Sequence, residues 1–430
     1  MKSLKTIRLV YIVYTLYTIF VMLVSNYPIS TAILGLINLW GVYLAFSLGY
    51  RSIRRTEDFN EYDLSEDDKF LFSSIVEWKT WQYFLAGILC WVSSIAAARF
   101  YTSRSFSTVI HGLLTGENGY SVYQHYVIEA NIGVLSIRKI PFILMLVFIT
   151  VMLFWTVLGI MLSGRKLTRV QIVYLIAVLG AYYFFGLARG TNFELYTAFI
   201  LVMYGLLNRG SNSLKDRRKR RRAIIIISIG AFIVVLIFRS MVALRGNVFN
   251  YQICPELRYN PDRLFSQLFP AITNIGLSIF RYFGYGIFTI GTVLNEVTLN
   301  SLRGIVAHSV PLGYELLFNE NLTDIVRSTV DVGVGWVADY FSFVNYLGFP
   351  LMLVLFLALG RMNAKLFLSK RAKLLKDLVG ALLFVQMLSL PVGNFISIST
   401  PNKLTTILVV LWYCKKYLVT FKYNRQKGFS

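Results

Sequence analysis

Apolar residues are concentrated in ten segments spread along the whole chain. Eight of these segments are long enough, or nearly so, to cross about 30 Å of hydrocarbon as helices. The other two are weaker, because one is short and the other runs into Pro391 and Gly393. In chain order they are Leu9–Val24, Ile29–Tyr50, Trp81–Ala98, Pro141–Leu162, Val170–Leu187, Phe193–Leu207, Ala223–Leu244, Trp336–Leu359, Leu378–Leu390 and Leu404–Val419. Since the runs are continuous rather than alternating, they predict an all-α bundle of about ten transmembrane helices in a single integral membrane domain, residues 1–430.

The composition agrees with a membrane protein. Of the 430 residues 56% are hydrophobic and the mean hydropathy is +0.60, which would leave a soluble fold with far too much exposed apolar surface. The three cysteines are far apart in sequence, and the three histidines form no pair at metal-ligand spacing. Neither a nucleotide-binding loop nor a zinc motif is present, so the sequence predicts no cofactor and no metal.

Charge predicts the orientation. If both termini are cytoplasmic, the inner segments contain 30 of the 43 Lys and Arg residues, the excess that cytoplasmic loops carry. The densest run, Lys215–Arg222, falls in a predicted cytoplasmic loop of residues 208–222 and is expected to anchor the topology near anionic lipids. This anchoring accounts for the net charge of +22, and we expect no nucleic-acid partner.

Two predicted outer segments are long. Residues 99–140 form the first outer loop, and residues 245–335 form a much larger one. Within the larger loop, residues 281–296 and 301–318 are moderately apolar and are interrupted by glycines and Pro311. They fit surface helices, a hairpin that enters the membrane and returns, or two full crossings, and each option keeps the C-terminus inside.

The outer face is rich in arginine. Of its 13 basic residues 11 are Arg, and Arg binds phosphate oxygens in pairs and keeps its charge in a poor dielectric better than Lys does. Several of these lie where charge is costly, and they predict a shared anionic ligand. Two alternatives remain, snorkelling to the lipid headgroups or pairing with Glu194 or Asp339. The four candidates are Arg189, Arg239, Arg245 and Arg281.

The whole-chain layout and two short stretches resemble the polysaccharide repeat-unit polymerases of bacterial surface glycans, the Wzy-type O-antigen and capsule polymerases. One stretch is Ala188-Arg189-Gly190-Thr191, which opens a short helix. The other is Val337–Pro350, an aromatic and glycine-containing run that leads into a long span after the large loop. The resemblance covers nearly the full length.

The resemblance implies a membrane glycosyltransferase of the GT-C type in the bacterial plasma membrane. It would join undecaprenyl-diphosphate-linked oligosaccharides on the outer face, next to membrane lipids, a flippase and a chain-length regulator protein. The four arginines would then hold diphosphates, where charge builds at the leaving oxygen. For the base that accepts the acceptor hydroxyl's proton, the candidates are His308, Asp331 and Asp339. For sugar stacking they are Tyr282, Tyr285, Trp336 and Tyr340, although an interfacial aromatic belt is the alternative.

Two other functions remain open from the sequence. A related ligase would transfer a finished glycan to a lipid or protein acceptor with the same architecture. A lipid-linked oligosaccharide flippase would instead show two homologous halves and charged residues near mid-membrane, and the sequence contains no internal repeat.

Overall fold

The computed structural model is helical throughout the part of the chain that it describes. That part comprises residues 2–54, 74–117, 119–130, 136–162, 166–208, 225–230, 233–234, 236–237, 257–296, 302–309, 316–319, 347–368, 373–392 and 407. Within these ranges we find no strand, only an isolated bridge between Ser25 and Tyr259. Five helices are long and apolar enough to cross a membrane. The chain is therefore an all-α membrane protein.

Each predicted apolar segment that the structure describes overlaps a helix, but the helix in the predicted span Trp336–Leu359 runs from Phe349 to Leu368. In chain order they are α1 (Lys2–Val24), α2 (Ile29–Arg54), α3 (Ser74–Glu77), α4 (Thr80–Thr102), α5 (Phe106–Thr115), α6 (Gly119–Glu129), α7 (Ile140–Met161), α8 (Arg169–Arg189), α9 (Phe193–Asn208), α10 (Leu264–Leu268), α11 (Pro270–Phe283), α12 (Tyr285–Glu296), α13 (Leu302–Ser309), α14 (Phe349–Leu368) and α15 (Lys373–Ser389), with a 3-10 turn at Ile137–Lys139. The five candidate spans are α1, α2, α4, α7 (with the preceding turn) and α8. The predicted spans 223–244 and 404–419 lie almost entirely outside the described residues.

The chain divides into two compact units. The first comprises Met1–Tyr62, Gly246–Lys370 and Gln386–Asn394, and the second comprises Asp63–Arg245, Arg371–Val385 and Phe395–Ser430. Helices α1, α2 and α10 to α14 belong to the first unit, and α3 to α9 belong to the second. Helix α15 begins in the second unit and ends in the first.

Helix α2 is the centre of the first unit, where α14 and α12 pack along it. Small residues allow the close approach to α14. A side chain at Gly49 would collide with the backbone of Leu357, and one at Gly360 would collide with the backbone of Phe46. Such contacts between small residues are how membrane helices pack tightly in the absence of a hydrophobic driving force.

Part of the predicted large loop packs against the first span. The backbone of Tyr259 bridges to Ser25, just beyond the end of α1, so this segment starts at that end. Helix α11 then crosses α1, where the Tyr17 hydroxyl donates to the carbonyl of Gly276. Tyr17 lies seven residues before Val24, which is about 10 Å along the helix. The segment thus reaches well below the helix end.

The same segment then returns. The chain bends by 72° between α11 and α12, at Gly284. Helix α12 runs antiparallel to the first half of α2, because Ile287 lies against Gly35 and the later Gly291 lies against Thr31. Both ends of the segment are therefore at the same end of α1 and α2. The three options that the sequence left open concern residues 281–296 and 301–318, whereas these contacts concern residues 270–296, so the choice among the options stays open. Helices α11 and α12 together are called the hairpin below.

Helix α15 ends beside the middle of α1. The hydroxyls of Tyr11 and Tyr14 donate to the carbonyls of Met387 and Leu388, at 2.8 and 3.1 Å. The second residue of α12 donates its N–H to the carbonyl of Pro391, at 3.1 Å. The last carbonyls of a helix lack partners within it, so these donors satisfy backbone groups that would be costly to bury in a membrane.

In the second unit, α4 and α8 run parallel. The rings of Tyr83 and Tyr174, early in the two helices, are 5.1 Å apart, and those of Tyr101 and Phe185, late in them, are 5.9 Å apart. Helix α7 runs antiparallel to both, since its start stacks on Phe100 at 4.0 Å. The C-terminal ends of α4 and α8 therefore lie together, and so do the chain segments that follow them.

Candidate anion-binding site

Helix α8 ends in a tight reversal that places its last residue beside the start of α9. Gly190 follows Arg189 with φ +64°, a left-handed conformation that favours glycine. Its N–H donates to the carbonyl of Leu187 at 3.0 Å, and the N–H of Thr191 donates to Gly186 at 2.9 Å. These bonds satisfy the terminal carbonyls of α8, and α9 begins only three residues after Gly190.

An ion pair closes this turn. Arg189 donates from Nη2 to Oε1 of Glu194, and the hydroxyl of Thr191 donates to Oε2 of the same carboxylate at 3.1 Å. The Glu194 side chain is only 4% exposed and that of Arg189 is 17% exposed. A side chain at Gly186 would collide with the carboxylate, so glycine at this position makes room for the pair.

Aromatic rings flank the guanidinium. The Arg189 Cζ atom lies 4.4 Å from the ring centroid of Phe185 and 5.9 Å from that of Tyr123. A guanidinium over a ring face is stabilised by the ring quadrupole, most strongly where water is scarce. The Nε atom is buried and has no hydrogen-bond partner among the described residues. The buried Nε does not face solvent, but the side chain as a whole keeps a partly exposed surface in addition to its carboxylate.

The first outer loop packs on this turn. A side chain at Gly190 would collide with the backbone of Gly119 and Tyr120, where α6 begins. Helix α6 packs against both α4 and α8. The predicted loop 99–140 is thus largely helical where it is described, and it holds Tyr123 over the Arg189 guanidinium.

A second ion pair lies in that loop. Arg104 Nη2 is 2.5 Å from Oε2 of Glu117, and it also reaches the carbonyl of Thr108 at 3.5 Å. Arg104 is 6% exposed, whereas Glu117 is 40% exposed. A side chain at Gly112 would collide with both groups. This pair joins the two ends of α5 and has a local structural role, so it is a natural comparison for the Arg189 pair.

The structure locates only some of the predicted site residues. Six of them lie outside the described residues: Arg239, Arg245, Asp331, Trp336, Asp339 and Tyr340. Arg281 and Tyr282 are on α11 and His308 is on α13, but their side chains are not among those described. Tyr285, the first residue of α12, is 5% exposed and stacks on Phe288 with centroids 5.8 Å apart. It lies in the first unit, and Arg189 lies in the second.

Sequence reasoning missed the Arg104–Glu117 pair, which spans 13 positions across a loop with no periodic pattern. It named Glu194 only as an alternative partner for Arg189, and the structure shows that contact. The available signal was Gly186, four residues before Gly190, because two glycines so close to a helix end indicate a crowded turn.

No protein-family model matches the chain, and no curated protein and no solved structure matches it.

Proposed function

We propose that this chain polymerises lipid-diphosphate-linked oligosaccharides into a surface polysaccharide. The growing glycan would leave its lipid diphosphate and join the terminal sugar of a new lipid-linked unit. In that step a hydroxyl of the acceptor sugar forms the new bond to the anomeric carbon, the bond from that carbon to the diphosphate breaks, and the hydroxyl proton passes to a base. Negative charge builds on the departing diphosphate, which fixed cationic donors stabilise.

The Arg189 turn carries the proposal. Its guanidinium is at the end of a candidate span, partly exposed, charged, and positioned by Phe185 and Tyr123. A planar guanidinium donates two parallel hydrogen bonds to phosphate, which an ammonium cannot do. This arrangement suits a diphosphate held at the level of the lipid headgroups.

The described spans favour an enzyme over a flippase. In the five candidate spans, every Lys and Arg lies near a helix end, and no Asp or Glu occurs. A flippase for a charged lipid headgroup needs polar or ionisable groups along the path through the membrane. These five helices carry no charged residue away from their ends.

The finer topology belongs to the same proposal. It comprises about ten spans, both termini in the cytoplasm of a bacterium, and residues 245–335 on the outer face of the plasma membrane. The hairpin would then enter the outer leaflet next to α1 and α2. His308, Asp331 and Asp339 remain the candidate bases, and Arg239, Arg245 and Arg281 remain candidate diphosphate ligands. The aromatics Tyr282, Tyr285, Trp336 and Tyr340 remain candidate sugar contacts.

Deleting the gene and analysing the cell-surface glycan tests the proposal. Loss of a polymerase leaves single repeat units on the final acceptor, whereas loss of a ligase leaves long chains on the carrier lipid. Loss of a flippase leaves single units on the cytoplasmic face. We expect single units on the acceptor, and long chains restored by the wild-type gene but not by Arg189→Ala. A normal glycan in the deletion strain would refute the proposed function.

A further inference from the structure

The Arg189 guanidinium is already occupied by an anion of the same chain. Glu194 is nearly completely buried, and both of its carboxylate oxygens are engaged, one by Arg189 and the other by Thr191. It lies only five residues from Arg189, and the Gly190 turn brings the two together. Any phosphate that binds Arg189 through the same face must displace this carboxylate.

We propose that Glu194 is an internal competitor for the phosphate-binding face of Arg189, an inference that rests on the proposed function. The pair opens when a diphosphate binds and closes again when the product diphosphate leaves. Ligand then binds only the open fraction of the protein, so the apparent affinity falls in proportion to that fraction. The carboxylate therefore lowers the affinity of this site for every anion by the same factor.

Such a competitor has a physical purpose at this position. An unpaired guanidinium at a membrane surface would be occupied by the phosphodiester groups of ordinary lipids, which are abundant there. The carboxylate lowers the occupancy of the site by all anions alike, so weakly bound lipids rarely occupy it. The preference for a diphosphate comes from its greater charge and its second phosphoryl group. The returning carboxylate also gives the guanidinium a new partner as the product departs, which favours product release.

The Arg104–Glu117 pair provides the contrast. Glu117 is ten times more exposed than Glu194, 40% against 4%, and no aromatic ring is recorded over the Arg104 guanidinium among the described residues. The Arg104 side chain is more deeply buried than that of Arg189, and it donates to the backbone carbonyl of Thr108. Arg104 Nη1 also lies beside Gly119, which packs on Gly190. Neutralising Glu117 should therefore strengthen anion binding at Arg189 by less than neutralising Glu194 does.

The test measures binding of inorganic pyrophosphate and of farnesyl diphosphate to the purified full-length protein. The protein is held in nanodiscs of phosphatidylcholine, which carries no net charge, and binding is followed by calorimetry. Glu194→Gln should tighten both ligands by at least tenfold and by similar factors, and Glu117→Gln should tighten them by a much smaller factor. Tighter binding of farnesyl diphosphate than of pyrophosphate would identify a lipid-linked rather than a free diphosphate as the ligand. Unchanged or weaker binding by folded Glu194→Gln protein would overturn the proposal.

A second variant keeps the test decisive if Glu194→Gln does not fold. Thr191→Val removes the hydroxyl that holds Oε2 of Glu194 but leaves both charges in place. It should also tighten pyrophosphate binding, by roughly tenfold, which is the lower end of the range for the loss of one hydrogen bond to a charged group. No change in affinity, or a decrease, would show that the carboxylate does not compete.

Turnover gives an independent measurement. In a polymerisation assay with lipid-linked repeat units, Glu194→Gln should lower KM and also lower kcat, because product leaves slowly from a site with no competing carboxylate. A purely structural role predicts less active protein with an unchanged KM. If gene deletion leaves the glycan normal while Glu194→Gln still tightens pyrophosphate, the proposed function fails but the competition stands.

Discussion

Removing both charges of the Arg189–Glu194 pair should destabilise the protein by less than the two single changes added together. Arg189→Met or Glu194→Gln alone leaves one charge buried without a partner, and that typically costs about 3–5 kcal/mol. The double variant leaves neither charge unpaired, so its cost should fall short of the sum of the two single costs. The difference defines a coupling energy that a double-mutant cycle isolates.

The structure sets the expected size of this coupling. Two unit charges in contact near a protein surface interact by roughly 4 kcal/mol at an effective dielectric constant of about 20. Since Arg189 is 17% exposed, we expect a coupling of about 2–3 kcal/mol. Glu117 is 40% exposed, so the Arg104–Glu117 cycle should give about 1 kcal/mol or less.

Unfolding by sodium dodecyl sulfate in mixed micelles measures both cycles. Tryptophan fluorescence can report on the second unit, where the rings of Trp78 and Trp155 are 5.6 Å apart. A coupling below about 0.5 kcal/mol for Arg189–Glu194 would show that this contact does not hold the turn together. Equal coupling energies in the two pairs would refute the expectation that the coupling energy increases with burial.

Three further predictions follow from the sequence and the site. After removal of Cys254, a cysteine at Asn260 should react with an impermeant thiol reagent in spheroplasts and one at Asn212 should not, and the reverse pattern would invert the topology. Arg189→Lys should reduce polymer length nearly as much as Arg189→Ala, because a point charge cannot supply two parallel donors, and long chains from the Lys variant would discard the phosphate contact. His308→Ala should thin the glycan without abolishing it, since acid–base help contributes about 10²–10⁴-fold, and normal polymer would assign the base to a carboxylate.

Hydropathy predicted the spans well where the apolar run was long. The segments Ile29–Tyr50 and Pro141–Leu162 correspond to α2 and α7 within a few residues, because a continuous apolar stretch in lipid has few alternatives to a helix. The chain reversal at Gly190 could also be predicted, since a basic residue followed by glycine is typical of a helix end. What the sequence did not predict was which charged side chain would pair with Arg104, because the two partners flank helix α5 instead of lying one turn apart on it.

The hairpin of α11 and α12 shows why the sequence did not predict how far this segment reaches along α1 and α2. Its helices are short and are interrupted by glycine, so neither is long enough to be recognised as a span. The contacts that place it are with α1 and α2, more than two hundred residues earlier, as with Tyr17 and the carbonyl of Gly276. Local propensity determined that these helices form, and distant small residues on α2 determined where they lie.

The break after α15 follows the same logic and explains how irregular backbone is tolerated beside a membrane span. Pro391 ends the helix, so its final carbonyls need donors from elsewhere, and Tyr11 and Tyr14 supply them from the middle of α1. The start of α12, the positive end of its dipole, donates to the carbonyl of Pro391 just beyond the negative end of α15. The two helix ends therefore neutralise each other in part.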